Sequence, residues 1–295
     1  MDHMVSVVAQ GEDIFGVAAV TTNIVEQARE RHGTDPVVAT ALGRLMTGAL
    51  LMSTTLKEPE HRIVLQIKSR GPVQRLVVEA DGAARVRGYP EVPVVDTVSV
   101  PSRGVKLDVG GMVGPGVLHV VKEVGLNEPI TGTIALVSGE IGEDLATYLL
   151  QSEQIPSAVS LGVFAHPGKM ISEAGGFLIQ FHATLEEDVI EHVERSLANT
   201  PSVTEMIQEG CQPLDMLQRA LGGMAMNVVR TVTPQWYCPC SRDRVMEMLI
   251  AMGEEELRQL MEEEEVTRIT CDYCVTEYLF QRSELQALLY EAKTD

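Results

Sequence analysis

Between Arg62 and Lys68, the apolar residues Ile63, Leu65 and Ile67 alternate with Val64, Gln66 and Lys68. A two-residue period puts each set on its own face, so this stretch predicts a strand. Further strands are expected at Val5–Ala9, Ile14–Val20, Gln74–Ala80, Arg85–Tyr89, Val113–Lys122 and Ile130–Ser138, with turns at Gly71-Pro72 and Asp81-Gly82. Pro36–Lys57, rich in Ala, Leu and Met, predicts a helix, and so does Asp144–Gln151. Gly175-Gly176 leads into Phe177–Phe181, expected to be the last strand of a single sheet with helices packed on it.

The pattern changes near residue 183. Leu185, Val189, Val193 and Leu197 recur every four residues with acids between them, the signature of an amphipathic helix. Ser202-Val-Thr-Glu205 has the spacing of a capping box, and Pro213 can open a third short helix that ends at Gly222-Gly223. Helices are also expected at Ser241–Met252 and Glu254–Glu264. A hairpin follows, Val266–Thr270 with Val275–Gln281, and Ser283-Glu-Leu-Gln286 caps a final helix. The expected class is α+β, with a mixed sheet-and-helix core domain over 1–181, a helical linker over 182–231 and a small four-cysteine zinc domain over 232–295.

Charge narrows the range of functions. The formal net charge is −19; residues 1–181 carry 14 basic and 20 acidic side chains, residues 182–295 carry 9 and 22. Such a field repels phosphate backbones, so no nucleic-acid partner is expected. The longest weakly polar run, Leu45–Leu56, is short of the ~20 residues that cross a bilayer, and the N-terminus lacks the basic and apolar regions of a signal peptide. No membrane partner and a cytoplasmic location are expected, and in that reducing compartment cysteines serve metal or redox chemistry more than structural staples.

Four of the five cysteines fall in two close pairs, Cys238-Pro239-Cys240 and Cys271-Asp272-Tyr273-Cys274, with 30 residues between them. A structural zinc ion takes four tetrahedral ligands, commonly thiolates, and each tight turn can aim two sulfurs at one ion. No histidine follows His192, so a site confined to the last domain must be all cysteine. Zinc is the expected cofactor, held by Cys238, Cys240, Cys271 and Cys274. Four thiolates leave no open position for a substrate, and the chain has no Gly-x-Ser-x-Gly elbow and no His-Glu-x-x-His helix; Gly162–Lys169 has the wrong spacing for a phosphate loop. His32, His119, His166 and His182 are scattered, so no enzyme is expected.

The Cys238-Pro239-Cys240 spacing is unusual. A disulfide there closes only a tight, easily reduced ring, unsuited to a permanent bridge and compatible with a reversible one. On the residues alone, two readings stay open: an oxidation switch, and a constitutive protein-binding scaffold with inert zinc. Eight of the 14 methionines lie between Met206 and Met261, where they serve either as gap fillers or as adaptable binding surface. Cys211 stands outside the set and is expected to be a small buried hydrophobe, with mixed disulfides as the alternative. Glu262–Glu265 reads as a solvated helix end.

With these motifs the chain resembles the 33 kDa chaperonin family of redox-regulated heat-shock holdases, whose signature is Cys-x-Cys, about 30 residues, then Cys-x-x-Cys. Arg31-His32-Gly33-Thr34-Asp35-Pro36 with Ala41-Leu42-Gly43-Arg44, Ser138–Asp144, Ser152–Ser157 and Ala174–Gln180 extend the resemblance over nearly the whole chain. The resemblance implies an inactive reduced form with zinc on the four cysteines. It implies that oxidation forms Cys238–Cys240 and Cys271–Cys274 disulfides, releases zinc, unfolds the last domain and destabilises the linker. The partners it implies are unfolding client proteins bound without ATP, a second copy in an oxidised homodimer, and a thiol-reducing system that resets the protein.

Overall fold

Residues 1–11, 13–95, 107–165, 170–182, 185–263 and 265–291 are described in the computed structural model of this chain, which divides into two units, Met1–Tyr237 and Cys238–Asp295. In the first unit, β1 (His3–Ala9) and β2 (Ile14–Val20) precede α1 (Thr22–His32) and α2 (Pro36–Ser53). Then come β3 (Arg62–Ser69), β4 (Arg75–Asp81), β5 (Arg85–Pro90), α3 (Val109–Val113), β6 (Gly116–Glu123), β7 (Ile130–Ala135), α4 (Gly142–Ser152), β8 (Ser157–Ala165) and β9 (Ile171–Phe181). The short helices α5 (Glu187–Asn199), α6 (Val203–Gln208) and α7 (Pro213–Ala220) lead to β10 (Met226–Val232) and β11 (Gln235–Trp236).

The strands form two sheets rather than the single one expected, in the orders β10-β1-β2-β9-β8 and β11-β5-β4-β3-β6-β7. Helix α2 packs on strands of both. Its start is set locally: the Asp35 carboxylate accepts from the N–H groups of Val37 and Val38, and Pro36 occupies the first turn. Every residue from Val37 to Ser53 is buried, as an all-round apolar helix between two layers must be. Its length and hydropathy would suit a membrane span, but 94% of it is buried inside the protein. The helix stops before Lys57 because the hydroxyls of Thr54 and Thr55 turn back onto the carbonyls of Leu51 and Met52. A Cβ on Gly48 would come within 2.3 Å of Leu145 Cδ1, so glycine at this position lets α4 close on α2.

The Ser138–Asp144 motif has a structural reason. Asp144 is fully buried, and its carboxylate accepts from the N–H groups of Val137, Ser138 and Ile141. It thereby fixes a turn in which Ile141 stands at a positive φ of 71°. Asp144→Ala leaves these donors without their charged acceptor and is expected to lower stability by about 3 kcal/mol. A urea-denaturation series of parent and variant measures the shift.

The five-stranded sheet is apolar on both faces. Met4, Val17, Ala19 and Leu178 face the main core with α2, whereas Val5, Val7, Ile14, Ala18, Phe177 and Ile179 are covered by Val193, Val203, Met206, Met216, Leu217, Ala220 and Leu221 of the α5–α7 segment. The capping box at α6 forms as expected, with Ser202 and Glu205 exchanging bonds. Residues 226–231, read from the sequence as part of the helical linker, instead form β10 with Val232 at the sheet edge, paired from Met4↔Val232 to Ala9↔Met226. Val228, Val229, Thr231 and Val232 are β-branched, and β1 supplies the open edge they need.

The second unit comprises α8 (Arg242–Met252), α9 (Glu254–Glu263), β12 (Val266–Thr270), β13 (Glu277–Gln281) and α10 (Arg282–Glu291). Its core is small: Val245, Leu249, Leu257, Phe280, Leu285, Leu288 and Leu289. The last cap sits two residues earlier than expected, because Glu284 accepts from the N–H of Gln281, not Ser283.

Candidate metal centre

Two local structures present the cysteines of the second unit. Cys238 and Cys240 lie in the loop before α8, whose start is fixed by Ser241 Oγ accepting from the Arg244 N–H. Cys271 and Cys274 lie in the turn between β12 and β13, beyond the last paired residues Thr270 and Glu277. That turn is closed by two backbone bonds, Val275 N–H to Cys271 O at 2.8 Å and Cys271 N–H to Thr276 O at 3.0 Å. Val275 adopts a left-handed conformation, φ 60°, which is rare for a β-branched residue.

Loop and turn bring all four Sγ atoms within 4.8 Å of one another. Cys238 Sγ is 3.8 Å from Cys271 Sγ, and Cys240 Sγ is 3.2 Å from Cys274 Sγ; all five cysteines of the chain are free thiols. A tetrahedral ion with metal–sulfur bonds of ~2.3 Å places its sulfurs about 3.8 Å apart, so the donor set fits such an ion. The thiols of the cluster differ in acidity. Burial pushes the Cys271 thiol up to about 12, against opposing donors from the backbone of Cys274 and Tyr273. Burial also raises Cys240, with the Tyr278 hydroxyl working against it. At Cys274, burial is outweighed by Thr276 and the neighbouring thiols, which bring it down to about 7. Four thiolates this close repel one another, and a bound dication is what lets them share the site.

The polar groups around the cluster are already engaged. Tyr278 donates to Cys240 Sγ at 3.1 Å, and Thr276 Oγ1 is 3.2 Å from Cys274 Sγ. Arg242 pairs with Glu284 and lies over the Phe280 ring, Arg244 donates to the Pro239 carbonyl, and Arg268 pairs with Glu277. Trp236 and Tyr237, next to the first cysteine pair in the chain, belong to the first unit, stacked under Arg31 and Arg85. Cys211 is buried in the first unit between α6 and α7, as expected of a small hydrophobe. His119 bonds the Thr133 hydroxyl, while His166 lies outside the described residues. The hydroxyl bond from Tyr278 to Cys240 was missed from the sequence, because only strand register shows which way Tyr278 reaches.

The fold and the site together define an α+β protein with a two-sheet first unit and a closed four-cysteine cluster in a small second one. The chain belongs to the Hsp33 protein family, whose profile matches residues 2–281. A 33 kDa chaperonin from Lachnoclostridium phytofermentans is 38% identical over 98% of this chain and 98% of its own length. One from Thermodesulfovibrio yellowstonii is 38% identical over 99% of this chain and 100% of its own. The crystal structure of a 33 kDa chaperonin, a heat shock protein 33 homolog from Thermotoga maritima, superposes with a TM-score of 0.89 at 35% identity, covering 99% of both chains.

Proposed function

We propose that this chain is a redox-regulated, ATP-independent holdase that is closed when reduced and opens to bind unfolding proteins when its thiols are oxidised. The observation that carries the reading is the convergence of Cys238, Cys240, Cys271 and Cys274 on one point in a unit whose core cluster, among the described residues, has seven buried side chains. In the reduced state these four thiolates hold one zinc ion, which supplies cross-linking that the small core lacks. Two thiolates of a pair pass two electrons to one molecule of hydrogen peroxide, which takes up two protons from solvent, forming one S–S bond and two waters. Done at both pairs, this leaves no thiolate to hold a metal. The family resemblance assigns the bonds as Cys238–Cys240 and Cys271–Cys274; with all four sulfurs within 4.8 Å, a disulfide map of oxidised protein tests that assignment.

The three-part division is functional in this reading, with its edges shifted: 1–181 together with the edge strand β10 is a sheet platform, the α5–α7 segment is its cover and Cys238–Asp295 is the sensor. The cover is weakly held. Helices α6 and α7 are 6 and 8 residues long, and α5 has Val193 as its one fully buried residue. Helices this short depend on packing for their stability. Chain connectivity places Cys238 directly after Tyr237, whose N–H is bonded to Val86 O, so rearrangement at the first cysteine pair is felt at once by the chain leading back to β10. Once the cover loosens, Val5, Val7, Ile14, Phe177 and Ile179 become a surface for apolar client segments, and the Met-rich helices adapt to varied sequences. Clients, an oxidised homodimer and a thiol reductant are the partners, in the cytoplasm, with no catalysis of bond change in the client.

The test is suppression of thermal aggregation of a model client by zinc-loaded reduced protein and by peroxide-treated protein, with zinc release recorded in the same tube. Activity is expected only after oxidation, with one zinc released per chain. Equal activity in both states, or oxidation with zinc retained, would return the chain to the inert-zinc scaffold.

A further inference from the structure

We infer that Tyr278 is a positioning residue for the four-cysteine cluster: its hydroxyl ties the β12–β13 hairpin to the Cys238-Pro239-Cys240 loop and restrains the attack of Cys240 on peroxide. The inference rests on the proposed thiol switch and adds to it the group that sets its reactivity.

Tyr278 lies in β13 opposite Ile269, and its ring packs at the edge of the second unit's core. From there the hydroxyl reaches Cys240 Sγ at 3.1 Å, across 38 residues of sequence. The bond therefore joins the structure that carries the second cysteine pair to the structure that carries the first. A hydrogen bond from a neutral O–H to a thiolate is charge-assisted, and the sulfur density it engages is withheld from an electrophile. A disulfide sulfur carries no charge and is a poor acceptor, so the tie exists while Cys240 is reduced and is lost when it is oxidised. Thr276 Oγ1 stands near Cys274 Sγ at 3.2 Å, but Thr276 is exposed and water can replace it, whereas Tyr278 is half-buried. Groups that donate to metal ligands orient them and tune their basicity, and removing one typically weakens metal binding by about 10–100-fold.

The test is Tyr278→Phe in the full chain, which keeps the ring and removes one oxygen, with Thr276→Val as the comparison. Three readouts are taken. In cobalt(II)-loaded protein, the sulfur-to-cobalt charge-transfer band of Tyr278→Phe moves to longer wavelength, because a thiolate freed of its donor gives up electrons more readily. Competition with a chromophoric chelator shows zinc held roughly 10-fold more weakly. Differential alkylation and mass spectrometry of the zinc-loaded protein show Cys240 lost to hydrogen peroxide roughly 10-fold faster, the equivalent of one hydrogen bond. Thr276→Val changes each by less than Tyr278→Phe. A charge-transfer band at the parent's wavelength, with Cys240 oxidised within twofold of the parent rate, overturns the role of Tyr278. A parent that keeps its zinc on oxidation overturns the switch instead, and in that case the band and the chelator competition still decide whether Tyr278 positions Cys240.

Discussion

Chelating zinc from the reduced protein is expected to unfold Cys238–Asp295 and leave α2 and the two sheets of the first unit folded. The argument is one of magnitude. A unit with Val245, Leu249, Leu257, Phe280, Leu285, Leu288 and Leu289 as its buried core belongs to the size range where apolar packing alone rarely supplies more than ~3–5 kcal/mol. Structural zinc contributes on the order of 10–16 kcal/mol in domains of this kind. Without it, ordering entropy exceeds what the core returns. The first unit has its own extensive core around α2 and two sheets and does not depend on the cysteines. Far-UV circular dichroism should lose the contribution of α8, α9 and α10, and amide exchange should become fast throughout that unit while α2 stays protected. A metal-free protein with full helical signal and a cooperative melt of both units would show that the cysteines are not what holds the second unit together.

Leu217→Ala is expected to make the reduced protein hold clients without oxidant. Leu217 is fully buried on α7, and its Cδ2 would stand 3.2 Å from a Cβ built on Gly16 of β2. The missing side chain at Gly16 is thus the seat into which Leu217 packs. Truncating a buried leucine costs about 2–5 kcal/mol, and an eight-residue helix has no stability of its own to offset that. The loss falls on the docking of α7 and uncovers the Val7 and Ile14 side of the sheet. Aggregation suppression by the zinc-loaded, reduced variant measures the outcome, with amide exchange of residues 203–221 as the structural record and exposed Gln218→Ala as the control. Fast exchange in α7 with no gain in client holding would mean that the covered sheet face is not the client surface.

Much of this was legible in the chain, and the parts that were not share a cause. The β3–β4 hairpin was readable because alternation and a turn signal lie within one short window. The cysteine cluster was readable because the pair spacing is itself the geometry of a metal turn. By contrast, α1 does not use the cap residue its sequence offers: Thr21 makes no side-chain cap bond, and the N–H groups of Asn23 and Ile24 are capped by the carboxylate of Asp2, on the far side of a hairpin. Strand β8 runs Ser157–Ala165 with mostly half-buried positions and no clean period, so nothing marked it out. Strand β10 exists because β1, more than 200 residues earlier, offers an edge. The second sheet could have been inferred, since a helix as apolar on every side as α2 requires a layer on each side of it.

Val275 gives the cysteine turn a further property. A β-branched residue held at φ 60° stores about 1–3 kcal/mol of backbone strain, and it endures only while its surroundings impose it. The closed turn therefore sits uphill of its relaxed geometry even when all four sulfurs are in place. Once the sulfurs let go, Val275 falls back to an extended conformation and that stored energy favours opening. It also opposes re-closure when the thiols are restored. In the proposed switch such a latch has a bias: it releases at a lower oxidant dose than a strain-free turn would and re-engages later, so a side chain with no redox chemistry of its own shifts the threshold.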